Sequence, residues 1–312
     1  MGEPELSLIV PIYNEEEVID IFLETIEIYL KPSGIAYEVV FVNDGSVDNS
    51  IEILKRHAQK NPKIRIISLS RNFGKEQALT AGIDHVTGHA VIPLDCDLQD
   101  PPEIIVAMYS KWREGYDVVL AKRVDRQSDS FVKRSSSSLF YKLIDKISDI
   151  KIPENVGDFR LMDRKVINAL KQYPERSRFM KGIFASVGFN ECVIEYTRPK
   201  RAAGTASWNY FKLWKLAIDG LISFTSIPLK IWSYLGALVA LSSFSYGVYL
   251  IIKTLIFGID VPGYASMMVV MLIMSGLILL SLGVIGEYIS RIFIEVKHRP
   301  IYIIMEKIGF ED

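Results

Sequence analysis

The 312-residue chain has little cysteine and almost no net charge. Cys96 and Cys192 lie far apart without a CxxC pair, which excludes a disulfide framework and a cysteine zinc site and is typical of a reducing compartment. The formal net charge of -1 gives no indication of a nucleic-acid partner. The first residues, Met1-Gly2-Glu3-Pro4-Glu5, lack the apolar run of a secretory signal. We therefore expect the polar part of the chain to stay in the cytoplasm.

Charged residues are also missing from two stretches in the C-terminal third, Ile231 to Ile252 and Val261 to Gly286. Each can cross ~30 Å of hydrocarbon at ~1.5 Å per residue. Buried helices of a large soluble domain are the alternative, but neither stretch has a polar face. We predict two transmembrane helices, about 231–252 and 262–286, within a 230–290 membrane region. Lysine and arginine flank this region on both sides, so the positive-inside rule predicts cytoplasmic termini, with a tail over 291–312.

The segment 208–229 precedes the first span and has aromatic and aliphatic residues at helical spacing, among them Phe211, Trp214 and Ile218. Lys212 and Lys215 fall between them. This pattern predicts an amphipathic helix in the membrane interface, and a plain core-packing helix is the alternative. Two spans per subunit leave room for a homo-oligomer, but no motif sets the number of subunits.

Apolar, β-branched runs alternate with helical patterns in the first 207 residues. This order predicts an α/β domain with a mainly parallel sheet covered by helices on both faces. Asn14 is predicted to cap the first helix, whose first turn would be Glu15-Glu16-Glu17. The predicted strands are Leu6 to Ile12, Tyr37 to Val42, Ile64 to Leu69, Ala90 to Leu94 and Tyr116 to Ala121.

Polar clusters follow three of these strands: Tyr13-Asn14-Glu15, Asn43-Asp44-Gly45 and Asp95-Cys96-Asp97. Ligands bind at the carboxyl ends of parallel strands, so the clusters predict one shared site. Asp95 and Asp97 supply hard oxygen ligands suited to Mg²⁺ or Mn²⁺. Asp44 could accept hydrogen bonds from a ribose or base, or belong to an ordinary Asx-type turn.

Six motifs follow one another along the chain. They are Val10-Pro11-Ile12-Tyr13-Asn14-Glu15, Val42-Asn43-Asp44-Gly45-Ser46, Asn72-Phe73-Gly74-Lys75, Asp95-Cys96-Asp97-Leu98-Gln99-Asp100-Pro101-Pro102-Glu103, Gly157-Asp158-Phe159-Arg160-Leu161-Met162 and Arg176-Ser177-Arg178-Phe179-Met180-Lys181-Gly182. Together they resemble family-2 glycosyltransferases of Rossmann-like GT-A fold, and within them the polyprenyl-phosphate branch. That branch includes dolichyl-phosphate mannosyltransferases and bactoprenol glucosyltransferases. The resemblance covers nearly the whole chain, including the two spans and the closing segment His298 to Tyr302.

The resemblance implies transfer of a sugar from a nucleotide diphosphate to polyprenyl phosphate with inversion. UDP-glucose is the first expectation for the donor, while GDP-mannose and other UDP-sugars stay open. The Gln-x-x-Arg-Trp motif of processive synthases is absent, which favours transfer of a single sugar. Two alternatives compete: a non-catalytic membrane component of lipid-linked sugar translocation, and a tethered transferase with water-soluble acceptors.

The resemblance also implies residue roles. One departure concerns Ser207, which stands where the family usually has a basic residue, so a phosphate contact is weakened there. Asp158 is either a general base or a residue that orients Arg160 or the acceptor. The implied roles are catalysis for Asp158 and Arg160, nucleotide binding for Pro11, Tyr13, Asn14, Glu15, Asp44 and Lys75, metal binding for Asp95, Asp97 and Gln99, and acceptor phosphate binding for Arg123, Arg134 and Arg201.

The Asp-x-Asp placement predicts dependence on a divalent metal. We expect both chelation and Asp97→Ala to abolish turnover while the protein still folds, because the carboxylate would hold the ion that meets the donor diphosphate. Product formation with and without excess chelator checks this, and full activity in chelator would contradict it.

Overall fold

The computed structural model describes residues 4–124, 153, 155–176, 178–197, 227–258 and 263–310. The strands are β1 (Leu6–Ile12), β2 (Tyr37–Asn43), β3 (Ile64–Leu69), β4 (Ala90–Pro93), β5 (Val118–Arg123), β6 (Val156–Asp163), β7 (Glu191–Tyr196) and β8 (Ile304–Ile308). The helices are α1 (Ile19–Leu30), α2 (Ser50–Lys60), α3 (Lys75–His85), α4 (Ile104–Arg113), α5 (Arg164–Leu170), α6 (Met180–Ser186), α7 (Ile227–Phe257) and α8 (Tyr264–Val296).

The described strands form one sheet in the order β7-β5-β6-β4-β1-β2-β3-β8. Pairing is parallel for β1 with β2 and β4, for β2 with β3, and for β5 with β7. It is antiparallel where β6 pairs with β4 and β5, and where β8 pairs with β3. The prediction of a mainly parallel α/β sheet is confirmed. The insertion of β6 between β4 and β5 was not apparent from the sequence.

The central strands read as continuous apolar runs because both faces of the sheet are covered. Successive side chains of β1 point to opposite faces, so Leu8 packs in one buried cluster and Ile9 in the other. On the Leu8 side, the rings of Phe22 and Phe41 meet edge to face with centroids 5.9 Å apart. Buried clusters on both faces of the sheet thus hold in place the strands whose ends form the site.

The first helix begins later than the sequence predicted. Its N-cap is Val18, which makes no side-chain cap hydrogen bond, and Asn14 is not the cap. Asn14 instead adopts a φ of 55°, and its Oδ1 accepts a hydrogen bond from the backbone N of Val47. The capping prediction is therefore wrong, because the Asn14 side chain fastens the loop after β1 to the loop after β2.

Helices α7 and α8 form the C-terminal hairpin and are longer than the predicted spans. Within them, Ile231–Phe257 and Ser266–Val296 are apolar and long enough to cross a membrane, and neither is buried within the protein. Helix α7 continues past its predicted end at 252 as far as Phe257, and it ends before Gly258, whose φ is 80°. The predicted interfacial helix lies outside the described residues, except for 227–229, which begin α7.

The chain returns to the sheet after α8. Strand β8 pairs with β3 and is the last strand of the described sheet, and the backbone N of Ser70 donates to the carbonyl of Ile303 at 2.9 Å. The Tyr302 hydroxyl donates to Asp84 at 2.7 Å. No strand is predicted here from the sequence, because five residues that mix apolar and charged side chains give a weak signal. The C-terminal end of the hairpin therefore leads back into the same sheet.

Gly45 and Gly34 offer a matched test of the contact between the loops after β2 and β3. Both have φ near +70°, but a Cβ on Gly45 would lie 2.5 Å from the backbone C of Arg71, whereas one on Gly34 meets nothing within 4 Å. Gly34→Ala should cost about 1–2 kcal/mol from the left-handed backbone alone. Gly45→Ala should add about 1–3 kcal/mol from the clash. Thermal unfolding of both variants checks this, and equal unfolding midpoints would contradict it.

Candidate active site

Four strands bring charged residues to one edge of the sheet. The carboxyl ends of β1, β2 and β4 lie side by side, since these strands are parallel. Strand β6 runs antiparallel to β4, with Val91 opposite Met162, so its first residues lie where β4 ends. Asp158 is thereby placed beside Asp95, although 62 residues separate them in the chain.

Lys75 joins these two carboxylates. Its Nζ lies 2.7 Å from Oδ1 of Asp95 and 3.1 Å from Oδ2 of Asp158. Burial alone would lower the pKa of Lys75, but the two carboxylates outweigh it and raise that pKa above its usual value. The ammonium is therefore charged at neutral pH. Lys75 was predicted to bind the nucleotide, and its described contacts are with these two acids.

Asp158 is held ionised by its surroundings. Burial alone would raise the pKa of its carboxyl, but Lys75, Lys181 and Arg160 together lower it below the usual value. Its second oxygen, Oδ1, is buried and has no hydrogen-bond partner among the described residues. Asp158 therefore presents a charged carboxylate with one acceptor atom left over, which is the arrangement that a base or an orienting group needs.

Arg160 lies two residues further along β6, on the same face of the sheet as Asp158. Its Nη2 donates to the carbonyl of Gly157 at 2.7 Å, and its guanidinium lies over the ring of Phe184 at 4.6 Å. Burial lowers the pKa of Arg160 to about 10, so the group is still charged at neutral pH. The structure thus brings together the two predicted catalytic residues and adds an aromatic ring from α6.

Glu76 is a member of the site that sequence reasoning missed. It is partly buried, and its Oε2 accepts a hydrogen bond from the backbone N of Met180 at 3.1 Å. Burial and then the charge of Asp158 raise the pKa of Glu76 to about 7. Its position directly after Lys75, the last residue of a motif already singled out, was the available signal. The sequence could not show that β6 and α6 would surround it.

Asp44 holds the loop that leads into α3. Its two carboxylate oxygens accept hydrogen bonds from the backbone N of Phe73 at 2.7 Å and of Gly74 at 2.8 Å. Burial raises the pKa of the Asp44 carboxyl, and these two bonds offset part of the rise. Asp44 thus holds the two residues that precede α3, which begins at Lys75. A role in binding the nucleotide stays a prediction.

The loops after β1 and β2 are fastened to each other. The backbone N of Asn14 donates to Ser46 Oγ, and that of Glu15 donates to Ser50 Oγ, both at 3.0 Å. Tyr13, which precedes Asn14, is nearly half exposed, and Pro11 lies within β1. Four of the six residues predicted to bind the nucleotide, Pro11, Tyr13, Asn14 and Glu15, therefore lie at the end of β1, beside the end of β2 that carries Asp44.

Comparison with known proteins decides the family. A model described as glycosyl transferase family 2 matches residues 7–171, and one described as the GtrB C-terminal hairpin matches residues 227–292. The chain belongs to glycosyl transferase family 2. The family domain ends just after α5 and therefore contains Lys75, Asp95, Asp158 and Arg160, while the hairpin domain covers α7 and most of α8.

Several relatives of this transferase match it over almost their whole length. An uncharacterized glycosyltransferase of Synechocystis is 52% identical over 98% of this chain and 96% of its own. A protein of Shigella phage SfV called bactoprenol glucosyl transferase is 50% identical over 96% of this chain and 98% of its own. A prophage bactoprenol glucosyl transferase homolog of Escherichia coli is 49% identical over the same shares.

The transferase has a donor set that fits a metal ion bound together with its substrate. Among the described residues there is no group of three or more His, Cys, Asp or Glu that could enclose a metal. Asp97 follows β4, and its Oδ1 accepts from the backbone N of Gln99 at 3.1 Å across a turn in which Leu98 has a φ of 55°. Mg²⁺ typically takes one or two carboxylates and completes its shell with water and substrate phosphate. Asp97, with Asp95 and Gln99 beside it, matches that requirement.

The predicted phosphate-binding arginines are only partly described. Arg123 ends β5, and its backbone N donates to the carbonyl of Asn155 at 3.0 Å, which places it next to the start of β6. It is therefore near the strand that carries Asp158. Arg134, Arg201 and Ser207 lie outside the described residues.

The Lys75 bridge makes a prediction about pH. Lys75→Met removes a charge that lowers the pKa of Asp158, while burial still raises it, so that pKa should rise. Asp158 is expected to act in its ionised form. The acid limb of the plot of kcat against pH should therefore move to higher pH, and turnover should fall most below neutrality. Lys55→Met is the control, because Lys55 makes only a partly exposed pair with Glu306. An unshifted acid limb in Lys75→Met would contradict the assignment.

Proposed function

We propose that this transferase moves one sugar from a nucleotide diphosphate onto polyprenyl phosphate, with inversion. The products are a polyprenyl-phosphate-linked monosaccharide and a nucleoside diphosphate. The carrying observation is that Lys75 joins an Asp-x-Asp carboxylate to Asp158 in a domain continuous with an apolar hairpin. UDP-glucose is the proposed donor, supported by relatives named bactoprenol glucosyl transferase at about half identity over nearly the full length.

The donor side of the reaction needs positive charge. As the glycosidic bond breaks, its electron pair leaves with the diphosphate, which gains negative charge. A Mg²⁺ or Mn²⁺ ion held by Asp97, with Asp95 and Gln99, would supply Lewis-acid stabilisation there. Lys75 keeps the Asp95 carboxylate in place and contributes a fixed positive charge of its own at the same edge of the sheet.

The acceptor side needs little proton transfer. A phosphate monoester has a second pKa of about 6 and is mostly a dianion at neutral pH. Its oxygen can therefore attack the anomeric carbon as the bond to the diphosphate breaks, and a single in-line attack inverts that centre. Asp158 and Arg160 then serve to orient the acceptor, with Arg123 as a proposed phosphate contact. A base role for Asp158 is needed only for the fraction of acceptor that still carries a proton.

The hairpin would bring the enzyme to its lipid acceptor. The return of β8 to β3 supports a topology in which the catalytic domain and the C-terminal segment lie on one side of the membrane. With lysine and arginine flanking both spans, we propose that this side is the cytoplasm. A reporter fused to the C-terminus checks the topology, and an external signal would contradict it.

A substrate panel tests the function. Full-length protein in vesicles would receive polyprenyl phosphate and a set of nucleotide sugars that includes UDP-glucose and GDP-mannose, with lipid products identified by mass spectrometry. We expect one hexose per lipid, formed best from UDP-glucose. A preference for GDP-mannose would correct the donor. Equal transfer to a water-soluble acceptor, or no lipid product from any donor, would contradict the proposal.

Asp158→Asn separates rate from binding. General-base catalysis typically contributes roughly 10²–10⁴-fold, and we expect a loss toward the smaller end because the acceptor phosphate ionises by itself. Affinity for the nucleotide sugar should stay within a few-fold, because Asp158 belongs to β6 and not to the loops after β1 and β2. Steady-state kinetics and donor binding check this.

Two outcomes would contradict that assignment. Normal turnover in Asp158→Asn would remove the residue from the mechanism. Weakened donor binding with unchanged turnover at saturation would move it into the donor pocket.

A further inference from the structure

The connection between α5 and α6 has no role yet in the proposed reaction. Arg176 on this connection contacts the end of the hairpin, and Met180, at the start of α6, contacts Glu76 of the active site. We call the contact of Arg176 with Glu295 and Arg299 the junction.

At the junction this connection is bound to the end of α8 in two ways. The backbone N of Arg176 donates to Oε1 of Glu295 at 2.8 Å, and its side-chain Nε donates to the carbonyl of Arg299 at 2.9 Å. Glu295 lies in the last turn of α8 and is only partly exposed. Burial and then the charge of Glu295 raise the pKa of the neighbouring Glu175 carboxyl, which is consistent with a closely packed polar contact.

A few residues further on, the start of α6 contacts the active site. The backbone N of Met180 donates to Glu76, which directly follows Lys75. Lys181 contributes to the ionisation of Asp158, and the ring of Phe184 lies against Arg160. Helix α6 is therefore held at its start by Glu76, contacts Arg160 through Phe184, and acts on Asp158 through the charge of Lys181.

We propose that Arg176 and Glu295 are positioning residues for transfer to the lipid acceptor. Through the junction, the end of the membrane hairpin sets where α6 lies. Lys181 and Phe184 are then placed so that Asp158 and Arg160 face a phosphate at the membrane surface. The lipid nature of the acceptor rests on the proposed function. The link between α8 and α6 rests on the contacts alone.

The physical reason is the sensitivity of catalysis to small displacements. Misplacing a reacting group by about 1 Å can cost roughly 10²-fold in rate. A membrane-bound acceptor cannot adjust its height freely, so the protein has to hold its own groups at a defined distance from the bilayer. Strand β8 ties the domain to the hairpin as a whole. The junction, in contrast, reaches the helix whose Phe184 contacts Arg160 and whose Lys181 charge acts on Asp158.

The test uses the full-length enzyme in vesicles containing polyprenyl phosphate, with UDP-glucose as donor. Glu295→Ala removes the acceptor of the Arg176 hydrogen bond and should lower kcat about 10–100-fold, with the donor KM within a few-fold. Glu295→Gln keeps an acceptor oxygen and should recover most of the rate. Glu306→Ala is the matched control, since it removes a C-terminal glutamate that pairs with Lys55 at the sheet edge.

A second readout separates positioning from general destabilisation. Hydrogen exchange over 180–186 should be faster in Glu295→Ala, while exchange in β1 and β2 stays as in the wild type. Arg176→Met, which keeps the backbone bond to Glu295 and loses the Nε bond, should give a smaller loss of the same kind. If Glu295→Ala does not fold, Arg176→Met becomes the test variant. Loss of donor binding would show that Glu295→Ala is not folded.

Three results would decide against the inference. Wild-type kcat in folded Glu295→Ala, an equal loss in Glu306→Ala, or unchanged exchange over 180–186 would each overturn it. If the wild-type enzyme makes no lipid product, the proposed function is wrong. The exchange measurement then still decides whether the junction holds α6.

Discussion

The structure depends on one cation between two acids, the Lys75 ammonium that contacts Asp95 and Asp158. Two carboxylates at one strand edge would otherwise repel each other and favour protonation of one of them. The positive charge of Lys75 offsets this repulsion and helps to hold Asp158 ionised. Other features of the site serve to place it: Asp44 holds Phe73 and Gly74 immediately before Lys75, and the antiparallel insertion of β6 delivers Asp158.

This bridge makes the donor and acceptor sides of the reaction a single unit. Asp95 belongs to the segment proposed to meet the metal and the leaving diphosphate, and Asp158 to the strand proposed to meet the lipid phosphate. Glu76 extends the unit by one residue, to the start of α6 and from there to the membrane hairpin. The family-2 transferase domain is thereby connected to the hairpin that we propose lies in the membrane with the acceptor.

Local patterns in the sequence were enough for part of this account. The apolar runs of the strands, the Asp95-x-Asp97 segment and the two uncharged spans need only neighbouring residues. The rest depends on contacts between distant segments. Asn14 does not cap α1, because its side chain accepts a hydrogen bond from Val47 in another loop. Strand β8 forms only by pairing with β3, which is distant in the sequence. The pKa of Glu76 is raised by burial and by the charge of Asp158, which belongs to β6.

A double-mutant cycle shows whether Lys75 and Asp158 act as one unit in catalysis. The value of kcat/KM would be measured for the wild type, Lys75→Met, Asp158→Asn and the double variant. Residues that act together show strongly non-additive losses. The double variant should be about as impaired as the more impaired single variant. A loss equal to the product of the two single losses would show that the residues act independently and would contradict the account.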